Sequence, residues 1–259
     1  MIVLCAIDVY SVTQLHGVVY LVCHWSSTVL RFDATTHQRM TDIYIRDMTR
    51  PSDIVACDRT SQLYVADNEE YVWRVSPDGA DVKRWLPRTQ SDQLMPHSLS
   101  VTSTRLLVTS HHSKQLIQFD ERGDELRRVR LPDYMEPWHA VESPTGSFIV
   151  SHDNTQQDLH RITDVDADGE VLRHFGGSGQ PSLGWSSRVA VDSNGNVFVT
   201  GHNGHCILLL GTQLTLRRVL VDERNLDYKQ PWSLSYIEET EQLLVGLKKS
   251  VAVFNVLYR

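Results

Sequence analysis

A valine closes a short apolar run six times along this chain, at Val22, Val65, Val108, Val150, Val199 and Val245, at intervals of 42 to 49 residues. A repeat of that length is the span of one four-stranded blade of a β-propeller. Each valine ends what reads as the second strand of a unit. A third apolar run follows every time, over 29–33, 72–75, 116–120, 159–163, 207–210 and 251–255. A fourth follows in most units, over 82–86, 126–131, 171–175 and 216–221. Pro77-Asp78-Gly79, Arg122-Gly123 and Asp168-Gly169 fall between third and fourth runs, where Asp and Gly accept the backbone angles of a tight reversal. Pro51, Pro96, Pro137 and Pro231 open new units. Helical periodicity is absent throughout.

The expectation is an all-β fold, a closed six-bladed β-propeller of mostly four-stranded antiparallel blades. Residues 1–259 are read as a single domain, which can also be a fragment of a longer protein. The last unit ends after its third strand, and segment 1–4 is expected to supply the missing one, with a three-stranded blade as the alternative. A hydrophobic content of 41% with 22% charged residues is that of an ordinary soluble domain. The formal net charge of -7 disfavours a nucleic-acid surface. No apolar run reaches the length of a membrane span, so no membrane partner is expected. Cys5, Cys23, Cys57 and Cys206 lack metal or disulfide-framework spacing, which points to reduced thiols in a cytoplasmic protein; a monomer is expected.

Within 188–210, Val191-Asp192, Gly195-Asn196 and His205-Cys206-Ile207 closely resemble an NHL repeat: an apolar strand, Asp-x-x-Gly-Asn, a second apolar strand, then Asn-His-Arg-Ile or similar. The unit carrying Leu63, Tyr64, Val65, Ala66 and Asp67, then Val72, Trp73, Arg74 and Val75, is similar. The family's terminal Asp of the second strand survives only as Asp67; Cys23, Ser110, His152, Gly201 and Leu247 stand elsewhere. The resemblance implies a six-bladed propeller. It also implies an interaction module like those ending tripartite-motif ubiquitin ligases, some of which bind RNA. Related propellers act as lyases and hydrolases with a metal in the central tunnel.

In a four-stranded meander, second-to-third loops share one end with the entries to the innermost strands. By this reading His24, His111, His112, His152, His202 and His205 lie in such loops, and His97 and His139 lie at strand entries. Trp25, Trp138, Trp185 and Trp232 join them. The expected ligand site is an inner set of His97, Trp138, His139, Arg188 and Trp232, ringed by His24, His111, His152 and His202. Trp faces would stack while His and Arg orient polar groups. The bland alternative is that loop histidines merely shape turns and the Pro-Trp pairs pack between blades.

Pro96-His97-Ser98-Leu99 resembles the strand entry by which peptidyl-amidating lyases supply a zinc ligand, but those enzymes need three. Asp53, Trp138 and Trp232 are taken as the equivalents of His97, so no metal and no cofactor is expected. Asp164 to Gly169 looks like the start of a calcium loop, yet Phe175 stands where the closing Glu belongs; a hairpin turn explains it. The basic pairs Lys83-Arg84, Arg127-Arg128 and Arg217-Arg218 recur on fourth strands and mark the circumference, where charge discourages edge pairing. The function expected is non-catalytic recognition of a protein, peptide or small ligand at the channel mouth. The alternative is a tunnel-site lyase or hydrolase using a His-bound metal or a His acid/base, and a third class is RNA binding.

Overall fold

The structure, a computed structural model, describes residues 2–3, 8–67, 71–86, 95–102, 105–177, 179–184, 187–227 and 229–256. Trp185 and Cys5 lie outside the described residues. The chain forms six antiparallel sheets arranged as the blades of a closed propeller. After a short β1 (Ile2–Val3), blade 1 contains β2 (Val9–Leu15), β3 (Val18–Cys23), β4 (Thr28–Asp33) and β5 (Ile43–Tyr44). Blade 2 follows with β6 (Pro51–Cys57), β7 (Gln62–Asp67), β8 (Tyr71–Val75) and β9 (Val82–Leu86). Blade 3 is β10 (Pro96–Thr102), β11 (Arg105–Ser110), β12 (Gln115–Phe119) and β13 (Glu125–Arg130). Blade 4 is β14 (Met135–Glu142), β15 (Phe148–Asn154), β16 (Leu159–Val165) and β17 (Val171–Phe175). Blade 5 is β18 (Val189–Val191), β19 (Val197–Gly201), β20 (Cys206–Leu210) and β21 (Leu216–Val221). Blade 6 is β22 (Pro231–Ile237), β23 (Gln242–Leu247) and β24 (Ser250–Asn255), separated after β22 by the 3-10 turn Glu238–Thr240.

Blade 6 holds three strands from the end of the chain, and β1 pairs onto it, Ile2 facing Val251 and Val3 facing Ser250. The ring is therefore closed by a strand from the start of the chain, across two residue pairs among the described residues. No helix among the described residues is long and apolar enough to cross a membrane.

Every sheet stands between two neighbours, so its middle strands are covered on both faces. Continuous apolar runs, and not alternation, are what such strands require. β19 and β20 are buried at every position, whereas the outermost β13 and β21 are largely exposed. The core is divided accordingly into six clusters, one in each gap. Val22, Val65 and Trp73 fill the gap between blades 1 and 2, and Val108 with Ile117 fills that between 2 and 3. Val150 lies between blades 3 and 4, Val199 between 4 and 5, and Val245 between 5 and 6. Leu21 and Leu244 close the gap between blades 6 and 1. All six recurring valines are fully buried.

The third-to-fourth hairpins behave as turns. Asp166 Oδ1 accepts the backbone N–H groups of Asp168 and Glu170, both at 2.9 Å, which uses its carboxylate in shaping the loop. Gly169 adopts φ +92°, and a Cβ there would sit 2.3 Å from the carbonyl oxygen of Arg130 on blade 3. Its hydrogen side chain lets two blades approach backbone to backbone. Gly169→Ala combines a clash with a disfavoured φ, so it should destabilise by more than about 1 kcal/mol. Chemical denaturation against Gly146→Ala, a positive-φ glycine with open space around it, separates the clash from the backbone effect.

Candidate site at the channel mouth

The innermost strands share an irregularity that organises the channel. A β-bulge interrupts the pairing between Val9 and Ser11, Pro51 and Asp53, Pro96 and Ser98, Pro137 and His139, and Pro231 and Ser233. A bulge leaves one residue out of the ladder and re-aims side chains. The bulged residues are Tyr10, Ser52, His97, Trp138 and Trp232, one layer at the mouth. The residues after them, Ser11, Asp53, Ser98, His139 and Ser233, form a second layer deeper along the axis. Arg188 completes that layer in blade 5, where its N–H donates to Thr200 Oγ1 at 2.7 Å and its carbonyl accepts the Thr200 N–H at 3.0 Å. All six residues of the deep layer are buried.

Blades 2 and 5 face each other across the ring, and their deep-layer residues meet. Arg188 Nη1 lies 2.6 Å from Asp53 Oδ2, with both side chains buried. Arg188 Nη2 donates to the Ser52 carbonyl at 3.1 Å. The Asp53 carboxylate also accepts from Ser11 Oγ at 2.6 Å, the Ile54 N–H at 3.0 Å and the Leu99 N–H at 2.8 Å. His139 Nε2 donates to the Leu99 carbonyl at 3.2 Å, while Nδ1 accepts the Val189 N–H at 3.4 Å. Both ring nitrogens are thus engaged with backbone, which fixes the neutral Nε2–H tautomer. Burial, and then the charge of Arg188, lowers the His139 pKa to about 4. This network plugs the channel.

Above the plug the mouth carries two aromatic groups. On blades 3 and 4, His97 lies 5.3 Å from Trp138 and 5.6 Å from His111 between ring centres, and His111 lies 4.6 Å from Trp138. His111 Nδ1 donates to the Pro137 carbonyl at 3.0 Å. Desolvation, with Arg188 next, holds His97 down to about 3. On the other side, His24 stacks on Tyr10 at 5.0 Å, and Trp232 lies 6.3 Å from Tyr10 and 4.7 Å from His202. Trp25 stands exposed beside His24, with the Arg50 guanidinium 4.5 Å from its ring centre.

The nine residues singled out from sequence therefore separate. His97, Trp138, Trp232, His24, His111 and His202 gather at the mouth, although His202 is buried against Trp232. His139 and Arg188 lie beneath them in the plug. His152 departs from the expectation of a loop position. β15 runs on through Asn154, so His152 sits within the sheet, 1% exposed, donating to the Asp153 carbonyl and accepting from Thr163 Oγ1 at 2.8 Å. The equivalence of Asp53 with His97 also shifts, since the bulge pairs His97 with Ser52 and Asp53 with Ser98. Tyr10, Ser11 and Asp53 went unrecognised. The signal was present in the triplets Val9-Tyr10-Ser11, Pro96-His97-Ser98, Pro137-Trp138-His139 and Pro231-Trp232-Ser233, an aromatic residue followed by a polar one at each entry. Among the described residues, no group of three or more His, Cys, Asp or Glu is disposed to hold a metal ion.

Compared by sequence, the chain matches no family model and no curated protein. Compared by structure, it is similar to a streptogramin B lyase, with a TM-score of 0.67 and 11% identity over 98% of this chain and 96% of that one. A catalytically inactive virginiamycin B lyase from Staphylococcus aureus with quinupristin gives 0.68 and 11% over 96% and 80%. The WD40 β-propeller domain of Doa1 gives 0.66 and 15% over 98% and 94%. Identities this low establish the shared propeller fold alone.

Two outcomes follow from the plug. Asp53→Ala leaves a buried guanidinium without its carboxylate and should cost about 3–5 kcal/mol in denaturant unfolding. Stability should also fall with acid. His139 is held near 4 in the fold against 6.5 for a free histidine, so the unfolded chain takes up its proton first as pH drops. The stabilisation is complete above about pH 6.5 and is lost between there and pH 4, on the order of 3 kcal/mol. His97 and His152, lowered to about 3 and about 4, add the same sign. Urea titrations through this range should show a shallower slope for His139→Gln.

Proposed function

We propose that the chain is a non-catalytic recognition module that binds a protein, peptide or small ligand across the mouth bearing His97, His111, Trp138, Tyr10, His24 and Trp232. The carrying observation is the pairing of partly exposed aromatic side chains at the mouth with a buried ion pair immediately beneath it. Aromatic rings offer large contact area at small entropic loss, and the plug makes their surface a shallow face instead of the wall of a through-tunnel. The resemblance of 188–210 to an NHL repeat accords with such a role, as does the WD40 architecture among the structural neighbours.

The rival reading is a tunnel-site enzyme, and the lyase neighbours are its support. His139 suits that chemistry poorly, because neither of its nitrogens is open to a substrate or a metal. His97 at the mouth is the residue on which an acid/base role would have to rest, and its low pKa makes it a weak base. An RNA-binding role runs against the net charge of -7.

Peptides selected from a random display library on the wild-type chain provide the probe. Trp138→Ala and Trp232→Ala should each weaken them about tenfold or more, the scale of an aromatic hot spot, with thermal stability largely kept. Parallel loss of binding and fold would show that both rings serve packing, and binding unaffected by either change would move the site elsewhere.

A further inference from the structure

Blade 6 differs from its neighbours at the circumference. In blades 2 to 5 the fourth strand is five or six residues long and runs along the outer edge of the third. In blade 6 that lane is taken by β1, which among the described residues meets β24 at Ser250 and Val251 alone. β24 runs on through Ala252, Val253, Phe254 and Asn255, paired on its inner side with β23. The recurring valines fix what belongs on the other side. Val199 pairs with Leu208 in blade 5 and Val245 with Ala252 in blade 6, so Ala252, Val253 and Phe254 take the places of Leu208, Leu209 and Leu210. Those three are met by Val219, Arg218 and Leu216 of β21. No described strand meets the outer edge of β24 from Ala252 to Asn255, where Val253 and Phe254 are half-buried and Asn255 is exposed. Beside this stretch a groove of about 400 Å³ lies between β21 and β24. Leu220, Leu243, Phe254 and Val256 are among its apolar walls, and Arg218 and Asn255 are its polar members.

We propose that this edge is completed by an extended segment of a partner protein, lying in the lane of β1 and running antiparallel to β24. The main chain makes the demand. Alternate N–H and C=O groups of an edge strand point away from its sheet and bond a strand laid beside it. The pairing of β1 with Ser250 and Val251 shows that the lane takes a strand in that direction. Strand addition draws affinity from backbone hydrogen bonds and selectivity from the side chains seated beside them. The fourth strands of this chain specify those side chains, since they carry Leu126-Arg127-Arg128, Leu172-Arg173-His174 and Leu216-Arg217-Arg218. The partner segment is accordingly aliphatic and basic. Side chains of one face enter the groove beside Leu220 and Phe254, and its cations stay in solvent, as Arg217 and Arg218 do. The site lies on the circumference, so its assignment and that of the aromatic mouth can fail separately.

The probe is an acetylated, amidated peptide of residues 214–220, which carries Leu216 to Val219. Calorimetry should show one peptide bound per chain, and hydrogen exchange read by mass spectrometry should show residues 252–255 protected by it. Two further peptides keep every side chain and charge but are N-methylated, one at Arg217 and Val219, the other at Leu216 and Arg218. Successive N–H groups of a strand point to opposite sides, so only one of these sets faces β24. That peptide should bind about tenfold or more weakly and the other within about twofold of the parent. Equal affinities for both would reduce the effect to diffuse charge attraction and overturn the site, as would no binding of the parent peptide or protection confined to other segments. Sedimentation of the protein alone tests the other occupant. A dimer that protects 252–255 without any peptide assigns the edge to a second copy of the chain and overturns the partner.

Discussion

The ion pair between Arg188 and Asp53 is the contact on which the centre of this molecule depends. A buried ion pair is favourable only when its remaining hydrogen-bonding capacity is filled, and the Asp53 carboxylate meets that demand. The carboxylate receives a guanidinium, a hydroxyl and two backbone N–H groups from four further positions on the ring. The pair also answers a difficulty inherent in propellers. Each innermost strand turns one edge toward the channel, and buried backbone groups on that edge require partners. Asp53, His139 and Arg188 provide them for Leu99, Val189 and Ser52. Polar residues in the middle of a β-ring are thus a consequence of its topology.

The bulges give the same strands a second output. By displacing one residue at five of the six entries, they set a layer that is aromatic in four blades above a polar layer. The polar layer is committed to structure, while the aromatic layer is left to meet whatever approaches. The two faces differ in chemistry: aromatic and imidazole rings crowd one, and a cavity with a mixed polar and apolar lining opens on the other.

How much of this was legible in the sequence depends on which periodicity carries it. The blades were readable because the valine interval repeats and because buried middle strands demand unbroken apolar runs. The turn at Asp166 to Gly169 was readable from the side chains that make it. The second strand of blade 4 was placed too short, because nothing in the polar run Ser151-His152-Asp153-Asn154 signals that pairing continues. The layering of the site was hidden for a related reason. A bulge is set by backbone pairing that no side-chain pattern announces, and matching Asp53 to His97 slipped the units by one; counted from Pro51 and Pro96, Ser52 belongs with His97 and Asp53 with Ser98. The meeting of Asp53 with Arg188 joins positions 135 residues apart, a contact that only the closed ring creates.

The plug does not hold the six blades equally. Its hydrogen bonds tie blades 1 to 5 together, while Ser233, the contribution of blade 6, has no partner for its Oγ among the described residues. Among the described residues, the same blade receives its outer strand across two residue pairs. Its attachment comes from its flanks: apolar contacts with blades 5 and 1, the Val9 N–H donating to the Lys248 carbonyl, and the Ser193 hydroxyl donating to Glu238. Five blades are thus fastened at the hub as well as at their sides, and the sixth is held as a stave is, by the pressure of its neighbours.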